Sequence, residues 1–182
     1  MPSPVSFIGR ALRNRRADET RSIVHHDGLA APAELHIESA DFADGAPMPY
    51  ETTLMGDNQS PALTWSGVPE GTQQLVLVIE DTDVPFKTPG IHTVALLPPT
   101  LTEVGRGQLG EKADRFLTAL LGKAGYYGPG PLPGHGPHRY GFHLYALSAP
   151  LPATVTKAKE LADAAAGTVL ARGSLTGTYE RP

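Results

Sequence analysis

The sequence predicts a mostly β fold with peripheral helices, on three observations. First, 20 glycines and 18 prolines among 182 residues, roughly a fifth of the chain against about 12% in average usage, leave little room for long helices. Second, residues 75–81 and 91–97 are apolar at both parities, as in strands covered on both faces. Third, residues 35–39 and 174–179 alternate apolar and polar side chains in the strand manner. A chain of this length suits one domain, large enough to bury about two-thirds of its unfolded surface without disulfide or metal staples.

Residues 1–33 read as an N-terminal basic arm. Phe7, Ile8, Ala11 and Leu12 fall on one helical face, with Arg10, Arg13, Arg15 and Arg16 mostly elsewhere. A membrane-surface anchor is one use of such a helix. Packing on its own domain or on a second subunit is the plainer one, because four apolar residues bury little.

Residues 34–182 read as a single domain. Leu35 and Ile37 alternate with His36 and Glu38, and a turn-rich stretch with Gly45, Pro47 and Pro49 follows. Residues 60–65 read as a strand entered through Pro61. Residues 75–81 form a first central strand, and residues 91–97 a second, stopped by Pro98 and Pro99. Ala113, Phe116, Leu117, Leu120 and Leu121 keep the i, i+3, i+4 rhythm; with Gly122 as a stop they predict an amphipathic helix. Residues 125–137 carry turn signals throughout and feed a strand over 138–148. A second helix over 157–166 turns Ala158, Leu161, Ala162 and Ala165 inward, and residues 174–179 close the chain as a strand.

Composition excludes several functions. The net charge of −4 and pI near 5.9 argue against nucleic acid as a partner. Without cysteine there is no disulfide or thiolate chemistry. Residues 1–16 lack the apolar run of a signal peptide, and no stretch approaches the ~20 apolar residues of a membrane span. The expectation is a cytoplasmic protein without stable membrane insertion. There is no Gly-x-Ser-x-Gly elbow and no nucleotide phosphate loop, so the expectation is a protein that is not an enzyme and has no catalytic residues or cofactor. Asp81, His92 and His138 are residue types that bind zinc. No close-spaced His-x₃-His pair accompanies them, so no metal ligands are assigned and a metal-dependent hydrolase ranks last.

Three places put chemically capable side chains at strand ends, where a scaffold presents binding groups. Asp81-Thr82-Asp83-Val84-Pro85 ends the first central strand, His92 opens the second, and His138-Arg139-Tyr140 opens the third. His138 and Tyr140, two apart, project to one face while Arg139 points to the other; Asp81 and Asp83 share a parity in the same way if the strand runs that far. Two imidazoles and a phenol beside a glycine-rich turn make a donor-rich cleft, in which backbone N–H groups can form an anion nest. A histidine near its ordinary pKa of ~6.5 adds positive charge when an anion arrives. Each residue also has a structural reading. His92 could be a satisfied strand-end histidine, Asp81 and Asp83 turn formers, and Arg139 a surface ion-pair partner. His36 and His143 read as structural, and His25 and His26 lie in the polar arm.

Gly134-His135-Gly136-Pro137-His138-Arg139-Tyr140, followed by Phe142-His143-Leu144-Tyr145-Ala146-Leu147, resembles the second signature of the phosphatidylethanolamine-binding family, most closely its bacterial Raf-kinase-inhibitor-like branch. Asp81-Thr82-Asp83-Val84-Pro85 resembles that family's first signature, Asp-Pro-Asp-Ala-Pro. Ser60-Pro61-Ala62-Leu63-Thr64-Trp65 is similar to the segment before it, and the likeness covers roughly residues 34–179 in order.

The resemblance implies an antiparallel β-sandwich with peripheral helices. It also implies an anion pocket from Asp81, His92, His138 and Tyr140, with Asp83 beside them and Gly128, Pro129 and Pro131 as the loop wall. A cis bond is expected near the first signature, with Val84–Pro85 the candidate. The implied function is non-catalytic binding of phosphate or a phosphoethanolamine-like head group. Asp81 would orient a histidine or accept a ligand proton. The alternative is a regulatory module, of kinase- or protease-inhibitor type, docking a phosphorylated or acidic side chain of a protein partner; an exposed apolar rim around Leu132 and Val84 would favour it. The basic arm and the sandwich edges are compatible with a homodimer.

There are departures from the family pattern. Thr82 and Val84 replace proline and alanine, Thr93 stands where tryptophan is usual, Leu132 interrupts a run of prolines, and Gly130 replaces a common cysteine. Residues 103–123 do not match, and a helix there would reshape the pocket mouth.

Overall fold

A computed structural model describes residues 4–182. The elements in chain order are α1 (Pro4–Leu12), β1 (Ala33–Glu34), β2 (His36–Glu38), β3 (Leu63–Ser66), β4 (Gln74–Asp81), β5 (Gly90–Leu97), β6 (Glu103–Val104), α2 (Leu109–Lys112), β7 (Arg115–Leu117), β8 (His138–Leu147), α3 (Leu161–Ala165) and β9 (Val169–Tyr179). One sheet has six strands in the order β1-β9-β8-β4-β5-β7, and a second has three in the order β2-β3-β6. The first is mixed, because β1 runs parallel to β9. The resemblance implied an antiparallel sandwich; mostly β with few helices holds, while the sheets are mixed and open.

β4 is the organising strand. Its side chains are buried on both faces from Leu75 onwards. Leu75, Leu77 and Ile79 join Trp65, Ile37 and Leu63 of the smaller sheet in one apolar cluster. Val76 and Val78, of opposite parity, join Leu161, Ala162 and Ala165 of α3 in another. This two-faced burial is why the strand reads as a continuous apolar run rather than an alternation. α3 follows a single 3₁₀ turn, Ala158–Glu160. It presents the predicted inward residues, with Leu161 and Ala165 fully buried.

The helix predicted over residues 113–121 does not form. α2 is only four residues long, and β7 pairs with β5 through Val94↔Leu117, Ala95↔Phe116 and Leu96↔Arg115. Phe116 packs on the cluster facing the smaller sheet, whereas Leu117 lies in the cluster facing α3. Adjacent residues entering opposite cores is strand behaviour, and the edge of β5 gains backbone partners that a helix could not supply. Leu121 adopts a positive φ of 54° in the following turn and is exposed. The expected cis bond at Val84–Pro85 is also absent: every peptide bond of the described residues is trans.

α1 forms in the basic arm, but its apolar side faces outward. Ser6 and Gly9 are buried while Phe7, Ile8 and Ala11 are exposed. A Cβ on Gly9 would lie 2.0 Å from the Pro133 carbonyl oxygen, so only glycine lets the helix backbone approach the loop this closely. From Ala17 the chain packs on the larger sheet, with Ile23 and Leu29 in the α3-side cluster. Ser22 Oγ donates to Glu80 Oε2 at 2.5 Å, and the Ile23 amide donates to Oε1 at 3.1 Å. Burial pushes the Glu80 carboxyl up from its ordinary value.

Candidate functional site

Antiparallel pairing brings the candidate residues together. The C-terminal end of β4 lies beside the N-terminal ends of β5 and β8, with Asp81 opposite Gly90 on one side and Tyr140 on the other. His92 and His138, which open the flanking strands, therefore converge on Asp81. All four side chains are buried: Asp81 is 2% exposed, His92 4%, His138 1% and Tyr140 0%.

The cluster has a definite hydrogen-bond order. His138 Nδ1 lies 2.8 Å from Asp81 Oδ2 and donates to the carboxylate. With Nδ1 so committed, neutral His138 presents Nε2 as an acceptor. His135 Nδ1 is 2.7 Å from that nitrogen and donates to it. Arg16 Nη1 lies across the His135 ring, 2.9 Å from Nδ1 and 3.0 Å from Nε2. These tautomers are assigned from the partners.

His92 is fixed differently. Its Nδ1 donates to the Tyr127 carbonyl at 3.1 Å, and its ring meets Tyr140 edge-on at 5.5 Å between centroids. Burial, outweighing the attraction of Asp81, lowers the His92 pKa. His135 is lowered by burial, by the Arg16 charge and by His138. The Tyr140 hydroxyl is buried without a hydrogen-bond partner among the described residues. Burial and then the nearby Asp81 charge push its pKa well up, so it remains a proton donor.

The parity expectation holds for the third strand, where Arg139 points away from His138 and Tyr140 and is exposed. Asp83 belongs with Arg139 rather than with the histidines. Its Oδ2 accepts from Arg139 Nε at 2.8 Å, and Arg16 Nε lies 3.3 Å from Oδ1. Although burial opposes it, Arg139 holds the Asp83 carboxyl below its ordinary value. The Asp83 amide also donates to Asp81 Oδ1 at 2.9 Å, a turn-forming role.

The glycine-proline loop walls the cluster, with Gly128, Pro129 and Pro131 all buried. Four of its amides are engaged within the protein. Tyr127 N donates to Thr93 Oγ1, Gly128 N to Asn58 Oδ1, Gly134 N to the Arg181 carbonyl and His135 N to that of Leu132. A Cβ on Gly128 would sit 2.3 Å from the Thr52 carbonyl oxygen, so the loop cannot accept a side chain there.

Sequence reasoning missed Arg16, His135, Asn58 and Thr93. His135 stands in a quoted motif, and its spacing of three from His138 was the available signal. Thr93, noted only as a departure, anchors the loop: its hydroxyl donates to the Gly125 carbonyl and accepts the Tyr127 amide. Arg16 and Asn58 reach the site from distant sequence, and nothing local announces them.

Fold and site together define a mostly β protein with a cluster of buried polar side chains where three strand ends converge. The family model described as phosphatidylethanolamine-binding protein matches residues 38–180, and the chain belongs to that family. It is 32% identical over 165 residues to a UPF0098 protein of Aquifex aeolicus, covering 84% of this chain and 92% of the relative. It is 38% identical over 160 residues to LppC of Mycobacterium tuberculosis, which carries a lipoprotein name, covering 82% of this chain and 75% of the relative. Among solved structures, Escherichia coli YbcL, described as a member of the mammalian PEBP family, superposes with a TM-score of 0.73 at 27% identity. That superposition covers 82% of this chain and all of YbcL.

Proposed function

We propose that this protein binds a small phosphate-like anion, without chemical conversion, among Asp81, His92, His138 and Tyr140. The observation that carries the reading is the Tyr140 hydroxyl. It is fully buried and makes no hydrogen bond of good geometry among the described residues, with only Asp81 and the Gly130 backbone as polar neighbours, and its ring lies beside the rings of His92 and His138. An unsatisfied buried donor costs about 1–3 kcal/mol, and a bound anion would satisfy it. Asp81 orients His138, whose Nε2 is thereby aimed away from the carboxylate.

Access to the site runs through the arm. His135 is fully buried beneath Arg16, whose Nη2 donates to the His135 carbonyl at 3.2 Å. An anion reaches His138 when this clasp shifts, and Arg16 then becomes a further cationic partner. The regulatory alternative called for an exposed apolar rim around Leu132 and Val84; Val84 is buried and Leu132 half-buried, leaving exposed Phe86 as its main apolar support.

Calorimetric titration of phosphate and O-phosphorylethanolamine tests the reading. The expected result is saturable binding that weakens roughly tenfold to a hundredfold in His138→Ala, the worth of a hydrogen bond to a charged group. The pH dependence has a fixed sign. His92 and His135 are held below their ordinary pKa and are neutral at pH 7, whereas the anion favours their protonated forms. Binding therefore takes up protons and tightens as pH falls from 8 to below the ordinary histidine range. Equal affinity at pH 8 and pH 5.5, or equal affinity in the variant, would refute it.

A further inference from the structure

We infer that the outer face of α1 is a docking surface for an anionic lipid bilayer. At 100° per residue, Phe7, Ala11, Ile8 and Val5 fall on a single broad arc of about 160°, with half-buried Leu12 between Ile8 and Val5. That arc points to solvent, with Phe7 75% exposed, Ile8 51% and Val5 46%. The opposite arc, Ser6 and Gly9, is the one buried against the domain. The sequence therefore uses its small residues to hold the helix down and leaves its large apolar residues unpartnered. An amphipathic helix of this kind that only covered its own domain would face the other way.

Charge selects the occupant. Arg10, Arg13 and Arg15 are exposed along the same arm, and none of them forms an ion pair among the described residues, in contrast to Arg16, Arg21, Arg106 and Arg139. Four arginines within residues 10–16 stand in a chain whose net charge is −4. The positive potential is therefore local to the apolar helix. Apolar side chains flanked by unpaired cations match the boundary between acyl chains and acidic head groups.

A second copy of this chain fits less well. Val5, Phe7 and Ile8 fall well short of the about 800 Å² per partner of a stable protein interface, and an isologous contact would bring the arginines of two copies together. The docking face lies on the arm that clasps His135, so docking would place the candidate pocket at head-group level. The inference stands whether or not that pocket takes an anion.

The test is co-sedimentation of the full chain with vesicles of phosphatidylcholine alone and of phosphatidylcholine and phosphatidylglycerol at three to one. The expected result is binding to the second only, weakened by raising NaCl from 50 to 500 mM. Phe7→Asp/Ile8→Asp should abolish it. Arg13→Glu/Arg15→Glu should reduce it about tenfold or more, given the worth of each cation near an acidic surface. Circular dichroism and thermal melting check that these exposed substitutions leave the fold intact. No binding to acidic vesicles, equal binding to neutral ones, or binding untouched by the Phe7/Ile8 variant would each overturn the inference. So would a wild-type dimer that this variant dissociates while vesicle binding is absent, which would assign the face to a second copy.

Discussion

A buried hydroxyl without a partner lowers stability by about 1–3 kcal/mol, and Tyr140 carries one next to two histidines. Tyr140→Phe separates folding from binding. It should leave the urea midpoint unchanged or raise it, because the lost oxygen bonded nothing, while phosphate binding weakens roughly tenfold. A residue with only a packing role would move neither; one whose hydroxyl held the fold together would lower the midpoint. At this scale the site was partly legible. Asp81, His92, His138 and Tyr140 were readable because strand-end position and parity are local properties, and because the motifs around them resemble a family signature. Asp83 was misplaced by the same parity rule, since β4 ends at Asp81 and the chain turns before Asp83, which pairs with Arg139 instead. His135 and Arg16 were missed because their importance lies in a contact 119 residues apart in sequence.

The elements divide by how many of their causes are local. β4 and β5 were legible as runs apolar at both parities, which only a strand covered on two faces requires. Residues 113–121 were not, since Phe116 and Leu117 satisfy a helical rhythm and also a strand whose two faces meet two cores. The free edge of β5 decided between them, and no window of sequence shows an edge. A pair of substitutions reads the difference. Leu117 is 1% exposed and Leu121 74%, although a helix would place both on one face. Leu117→Ala should cost about 2–5 kcal/mol by chemical denaturation, whereas Leu121→Ala should stay within about 0.5 kcal/mol. Similar costs at both positions would restore the helix. The short parallel pairing of β1 with β9 was equally hidden, being two residues long.

For the molecule as a whole, one arm serves two surfaces. Its inner side, through Gly9 and Arg16, closes on the loop that carries His135, and its outer side presents Phe7 and Ile8 to solvent. The net charge of −4 averages over a chain whose arginines cluster at one end, so the local potential at the arm is opposite in sign to that average. No helix of the described residues is long and apolar enough to cross a membrane. The central claim, that an anion is held between the opening residues of β5 and β8, is tested most directly by imidazole nitrogen spectra of the protein during a phosphate titration near pH 6. The account predicts that the His92 and His138 signals shift together and saturably, while exposed His36 stays unchanged. Shifts confined to exposed histidines, or none at all, would contradict it.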